Sequence, residues 1–247
     1  MSWLRSVLRC LVELLVLPAT ILCYAGLWDP LYKRFFPHLM CSFVADINRR
    51  MAKVKKELFD ELPAFAASTP TAAPLNVLEV GCGTGANFPF YPWGCKVTGL
   101  DPNPNFERFL RRSVADSGHV ELEKFVVGSA EDMRQVASGS MDAVVCTLVL
   151  CSVPDIDRAL SEILRVLKPG GGFFFIEHVA AAKTGWLHFF QHVVQPAWRY
   201  FGDGCSLTCD TEAHLEKAKF SKLHLKHISE PMAFRLINDH VVGYGTK

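Results

Sequence analysis

Short apolar runs recur from Leu75 onward, each closed by a polar or turn-forming residue. The first begins at Leu75 and ends in the acid Glu79. Lys96 to Asp101 (KVTGLD) ends in Asp101, with the strand-breaking Pro102 behind it. Leu122 to Gly128 and Met141 to Val149 (MDAVVCTLV) follow. Asp155 to Leu167 carries its apolar positions at helical spacing, and Pro169-Gly170-Gly171 stops it and turns the chain into a run through Phe175. Glu212 to Ala218 reads as a helix; Leu223 to Ser229 and His240 to Thr246 read as final strands. Strands alternating with helices predict an α/β fold.

The front of the chain has a different pattern. Cys10 to Trp28 is nineteen residues with one charge, Glu13, barely enough for a ~30 Å hydrocarbon core. Arg5 and Arg9 precede it; Lys33 and Arg34 follow. A cleaved signal has no clear A-x-A site here, and a buried core helix is a further reading. Pro18 in mid-segment and basic flanks on both sides suit an anchor that dips in and returns as well as one that spans. Residues 1–34 are therefore expected to be a membrane anchor of either topology. Phe43 to Leu62 sets Arg49, Arg50, Lys53, Lys55 and Lys56 between apolar residues at helical spacing. Such a helix can lie on an anionic membrane surface or cover a ligand site with its apolar face. Ala66 to Pro74 reads as a linker, so residues 35–74 form a helix and linker ahead of a 75–247 domain.

Composition narrows the function classes. A formal charge of +1 gives no field for nucleic acid. Nine cysteines without a C-x-x-C pair fit reduced thiols better than a disulfide framework. Half the residues are hydrophobic, an excess concentrated at the front. Residues 179–210 form a long connection rich in Trp186, Phe189, Phe190, Trp198, Tyr200 and Phe201. Lying beyond the strand ends, it is expected to be a lid over an apolar acceptor, with Cys151, Trp186, Phe190 and Trp198 in the pocket wall.

Candidate chemistry centres on Leu75 to Gly85 (LNVLEVGCGTG). A strand that stops at a glycine turn and feeds a helix brings backbone N–H groups to a ligand. The spacing E-x-G-x-G-x-G differs from the G-x-G-x-x-G that seats a pyrophosphate, and its carboxylate suits a cationic ligand. Asp101 at the next strand tip can accept both hydroxyls of a ribose.

These blocks, in this order from Leu75 to His178, resemble the Rossmann-like S-adenosylmethionine-dependent methyltransferases. The resemblance implies a mostly parallel seven-stranded sheet with helices on both faces and a closing antiparallel hairpin. It implies S-adenosylmethionine held by Glu79, Gly81, Cys82, Gly83, Gly85, Asp101, Pro102, Ala130, Glu131 and Cys146, with the acidic stretch Ala130, Glu131, Asp132 beside adenine. EVGCGTGANFPFYPWGCKVT, DPNPNFERFL, VVCTLVLCSV, LKPGGGFFFIEHVA, DGCSLT and FSKLHL are similar to one narrower group, the membrane-anchored methyltransferase-like seven alkyl thiol S-methyltransferases. That similarity implies a small apolar thiol acceptor and a place on endoplasmic reticulum and lipid droplets, the catalytic domain facing the cytosol. A quinone, phenol or lipid acceptor, and a scaffold that only binds cofactor, remain the alternatives.

Other constellations carry less. His188 and His192 would share a helix face but lack a third ligand in sequence. Cys205 and Cys209, with Cys151, match the thiols of arsenite methyltransferases in number but not in arrangement. Methyl transfer needs no metal, and none is expected. His178, at the end of the fifth strand, is the one candidate proton acceptor.

Overall fold

The structure is a computed structural model that describes residues 2–66 and 74–247. Most of the expected linker, residues 67–73, lies outside the described residues. The chain opens with three helices, α1 (Ser2–Leu15), α2 (Leu17–Tyr24) and α3 (Trp28–Phe59). A doubly wound unit follows: β1 (Asn76–Val80), β2 (Cys95–Asp101), α4 (Glu107–Ser117), β3 (Val120–Val127), β4 (Met141–Thr147), α5 (Ile156–Val166) and β5 (Leu167–His178). The chain closes with α6 (Trp186–Phe201), α7 (Thr211–Lys217), β6 (Lys222–Ser229) and β7 (Asp239–Thr246).

The seven strands run in the order β3-β2-β1-β4-β5-β7-β6. All pairs up to β4–β5 are parallel; β7 is antiparallel to both neighbours, giving the expected closing hairpin. Strand order reverses between β1 and β4, so the ligand crevice opens beyond their carboxyl ends. Successive side chains of β5 alternate between two cores. Phe173 and Phe175 pack with Leu160 and Ile163 of α5 and Leu215 of α7. Phe174 and Ile176 pack on the opposite face, with Met51, Val54, Leu58 and Phe59 of α3 and Leu110 of α4. That period of two explains why strands buried on both faces read as unbroken apolar runs.

Three features depart from the sequence expectations. The apolar N-terminal segment is not one anchoring helix: among the described residues no single helix is long and apolar enough to cross a membrane, and α1 and α2 are bent by 59°. Pro18 is the cause. It sits in the first turn of α2, where its missing N–H and fixed φ start a helix but cannot continue one. The boundary placed at 34/35 falls inside α3, so the supposed anchor and the basic helix share one rod. Finally, no α-helix follows the glycine turn. Phe88–Phe90 makes a single 3-10 turn around Pro89, with Pro92 just beyond it, and α3 fills the layer instead.

The N-terminal helices dock on the catalytic unit. The Thr20 and Tyr200 hydroxyls are 2.9 Å apart, and the Trp28 ring meets Tyr200 and Phe201 edge-on. The Asn103 amide donates to the Lys33 carbonyl at 2.9 Å, and the Asn48 amide to Ala86 at 2.8 Å. α3 thus crosses the loops after both β1 and β2.

Candidate active site

Gly81, Gly83 and Gly85 all take positive φ (+61°, +50°, +77°). A Cβ at Gly81 would lie 2.3 Å from Val149 Cγ2, so the turn after β1 is pressed against the turn after β4. Cys82 packs inward: its Sγ is the nearest atom to a Cβ built on Gly99. Its neighbour Glu79 is fully enclosed. Asn87 Nδ2 donates to one carboxyl oxygen at 2.9 Å and the Tyr91 hydroxyl to the other at 2.8 Å. Burial pushes Glu79 up to about 7, against these donors and the nearby Lys55 ammonium. Lys55, on the buried stripe of α3, is pulled down to about 8 by its own burial, against Glu79. It donates to Asn48 Oδ1 at 2.8 Å and lies over the Phe90 ring. Asn87 also donates to Thr147, but its buried carbonyl oxygen has no donor. An orphaned acceptor beside a carboxylate fits the cationic, ammonium-bearing end of a ligand.

Asp101 closes β2. Its Oδ2 accepts from Gly83 N at 3.0 Å and its Oδ1 from Asn103 N at 2.8 Å, leaving lone pairs on both oxygens. Burial raises it to about 6, against those two backbone donors. Pro102 is exposed, Ala130 buried and Glu131 half-buried; Gly128 N donates to the Asp101 carbonyl, bringing the end of β3 to the same edge. Arg158 Nε holds the Glu131 carbonyl at 2.9 Å, while Asp132 pairs outward with Arg134.

At the end of β4, Cys146 is fully buried and Leu148 adopts φ 59°, a strained value for a branched side chain. Glu177, the penultimate residue of β5, holds this break: its carboxylate accepts from Val149 N (3.1 Å) and Leu150 N (3.0 Å). The turn so ordered carries Cys151. His178 follows Glu177, and Cys205 comes in from the loop after α6, where Ser206 N donates to the Cys151 carbonyl at 2.8 Å. Cys151, His178 and Cys205 are all buried, with their ligand atoms within 4.8 Å of one another. The Cys151 thiol holds Cys205 below the ordinary thiol range, despite burial. Burial opposes charge on His178, but its sulfur neighbours Cys205 and Cys209 outweigh that and push it up to about 9. The Trp198 indole lies against Cys205.

The expected pocket residues thus divide. Cys151 and Trp198 both come to the cluster of His178 and Cys205. Trp186 and Phe190 do not: both are exposed near the start of α6, because the helix turns that face away from the sheet. His188 and His192 do meet edge-on, 4.5 Å between ring centroids, but join no third ligand among the described residues. Lys55, Asn87, Tyr91 and Glu177's grip on the β4 turn went unread in the sequence. For Lys55 a signal existed: it lies four residues from both Met51 and Phe59, on the apolar stripe.

Carboxyls raised by burial, Glu79 and Asp101 here and Glu177 likewise to about 7, make stability depend on pH in an uncommon direction. Between their usual values (4.5 and 3.8) and the raised ones, folded Glu79 and Asp101 keep protons that the unfolded chain has lost. Stability from this source is complete at the acid end and declines as pH rises through about 7. Thermal melts of the cofactor-free chain should therefore show Glu79→Gln gaining in Tm relative to the parent as pH rises from 5 to 7. A Tm difference that stays constant across that window would refute the buried-acid account.

The comparisons agree with this geometry. A family model described as a methyltransferase domain matches residues 78–175. Human thiol S-methyltransferase TMT1A is 51% identical over 91% of each chain, and human TMT1B is 46% identical over the full length of both. Among solved structures, a geranyl diphosphate methyltransferase in complex with SAM aligns with TM-score 0.61 at 15% identity, covering 83% of this chain and 88% of that one. A putative methyltransferase from Bacillus halodurans C-125 aligns at 0.53 and 20% identity, covering 76% and 99%. The structures attest the fold; the full-length identities go further, and the chain belongs to the thiol S-methyltransferase family of S-adenosylmethionine-dependent methyltransferases.

Proposed function

We propose that this chain methylates the sulfur of a small apolar thiol at a membrane surface. The carrying observation is the reach of the human relatives' identity. The match to human TMT1B spans the whole length of both chains, so it takes in the acceptor-side residues 148–210 as well as the cofactor half, and only the acceptor side discriminates among methyl acceptors. S-adenosylmethionine supplies an electrophilic methyl on a sulfonium, so the protein's task is to hold the two sulfurs in line in a dry pocket. Asp101 is assigned to the ribose hydroxyls, Glu79 and the free oxygen of Asn87 to the ammonium end, Ala130 and Glu131 to the adenine edge. The backbone of Gly81 to Gly85 passes beneath, with Cys146 in the wall; Cys82 and Pro102 support the two turns.

Membrane attachment is proposed as in-plane. α1 packs along α6, and their outer faces expose Trp3, Leu11, Leu15, Trp186, Phe190 and Phe201. Arg5 and Arg9 lie on the same helix pair, suited to headgroups. A family place on endoplasmic reticulum and lipid droplets, catalytic unit toward the cytosol, fits such a monotopic contact.

Three outcomes are expected. With labelled cofactor, a panel of alkyl thiols, phenols and quinones should yield methylated products from the thiols; transfer only to phenols or quinones would replace the acceptor assignment. Asp101→Ala strands ribose hydroxyls at about 1–3 kcal/mol, so calorimetry should record cofactor affinity down by roughly one to two decades, with the melting curve still cooperative; unchanged affinity removes Asp101 from the site. Leu15→Glu combined with Trp186→Glu should cut binding to phosphatidylcholine–phosphatidylserine vesicles at least tenfold, since burying each apolar side chain is worth about 1.5–3 kcal/mol. Equal sedimentation of variant and parent would exclude this face.

A further inference from the structure

The cluster of Cys151, His178 and Cys205 has more structure than a thiol wall requires. It draws on three separate segments, the turn after β4, the end of β5 and the loop after α6, and hydrogen bonds hold the first and the third in place. Glu177 orders the turn that carries Cys151. Gln195 of α6 holds the third segment at both ends, donating to the Cys205 carbonyl and accepting from Leu207 N at 2.6 Å. Ser206 N ties that loop to the Cys151 carbonyl. The three side chains are buried, and one ring nitrogen of the cluster, His178 Nε2, has no hydrogen-bond partner. Buried polar atoms without partners call for an explanation.

We propose that Cys151, His178 and Cys205 hold a thiophilic divalent cation of the zinc class, and that its fourth coordination position takes the sulfur of the thiol acceptor. The second half rests on the thiol reading above. Two thiolates and an imidazole are a soft donor set, and three protein ligands with an open position mark zinc sites that do chemistry rather than hold a fold together. The present ligand separations, up to 4.8 Å, lie about 1 Å beyond the edges of a tetrahedron built on ~2.3 Å Zn–S bonds, a gap that small χ1 rotations close. Cys209 is a neighbour rather than a fourth ligand. Its Sγ donates to the His178 carbonyl at 3.2 Å and falls outside the three-residue group.

Placement suits the reaction. Cys151 lies two residues beyond Val149, whose side chain presses on the Gly81 turn, so the cluster borders the cofactor crevice at the carboxyl ends of β4 and β5. An alkyl thiol is mostly protonated at neutral pH. On coordination it releases its proton to solvent, because metal-bound sulfur is stable as thiolate. A lone pair on that sulfur then forms the new S–CH3 bond as the methyl–sulfonium bond breaks, its electron pair remaining on the cofactor's sulfur. The products are a neutral thioether, a poor ligand that leaves the metal, and a neutral cofactor thioether.

The test uses the full-length chain in detergent. Elemental analysis should find about one zinc per chain, lost in Cys205→Ser and in His178→Ala but kept in Cys209→Ser, with cofactor affinity in each variant serving as the check on folding. Cobalt exchanged into the parent should show tetrahedral d–d bands, and 1-butanethiol, but not 1-butanol, should shift them. A chain that carries no zinc and takes up neither zinc nor cobalt, or one whose Cys151 and Cys205 are found as a disulfide, overturns the metal site. Cobalt bands indifferent to butanethiol overturn the acceptor's place on the metal. Failure of the thiol reading itself looks different: the bands shift, yet labelled cofactor transfers no methyl to butanethiol.

Discussion

Much of the site hangs on one buried carboxylate. Glu177 accepts two backbone N–H groups from the turn after β4, a turn entered through a left-handed Leu148. Without an acceptor there, two buried donors would be stranded and the strained break would have no reason to persist. With it, Val149 is pressed onto the glycine turn on one side, and Cys151 is delivered beside His178 on the other. The cofactor half and the acceptor half of the crevice are thus set by the same pair of hydrogen bonds, at the point where the strand order reverses.

The second constraint comes from outside the doubly wound unit. The chain lacks a helix after its glycine turn, and α3 takes that layer, bringing Lys55 into contact with the Ala86 loop and the Glu79 network. A buried ammonium beside a buried carboxyl is tolerable because each offsets the other's desolvation and both are hydrogen-bonded. The N-terminal segment is therefore part of the catalytic layer, through α3, as well as the carrier of the exposed apolar face on α1.

The central sheet was legible because strands buried on both faces leave uninterrupted apolar runs, and the glycine turn and Asp101 because their chemistry is local. The rest depended on tertiary neighbours. A helical pattern in α6 shows that Trp186 and Trp198 belong to a helix, but not that the first faces solvent and the second Cys205. Pro18 was visible mid-segment, yet only geometry turns it from a kink into a break between two helices. The prolines of FPFYPW were equally visible and do account for the missing helix. Cys151, His178 and Cys205 lie on three distant segments, and ligand spacing rules see only neighbours in sequence.

The straps on α3 have a kinetic side. Asn48 reaches the Ala86 carbonyl, Arg50 the Pro231 carbonyl at 2.8 Å, and Asn103 reaches back to Lys33. Each is a side chain closed on a backbone carbonyl, a bond that breaks and re-forms without unfolding the sheet beneath. Segments held by a few such bonds open on the microsecond-to-millisecond scale. The helix is thus fastened over the two loops by bonds that can open one at a time, a cover whose release needs no change in the strands.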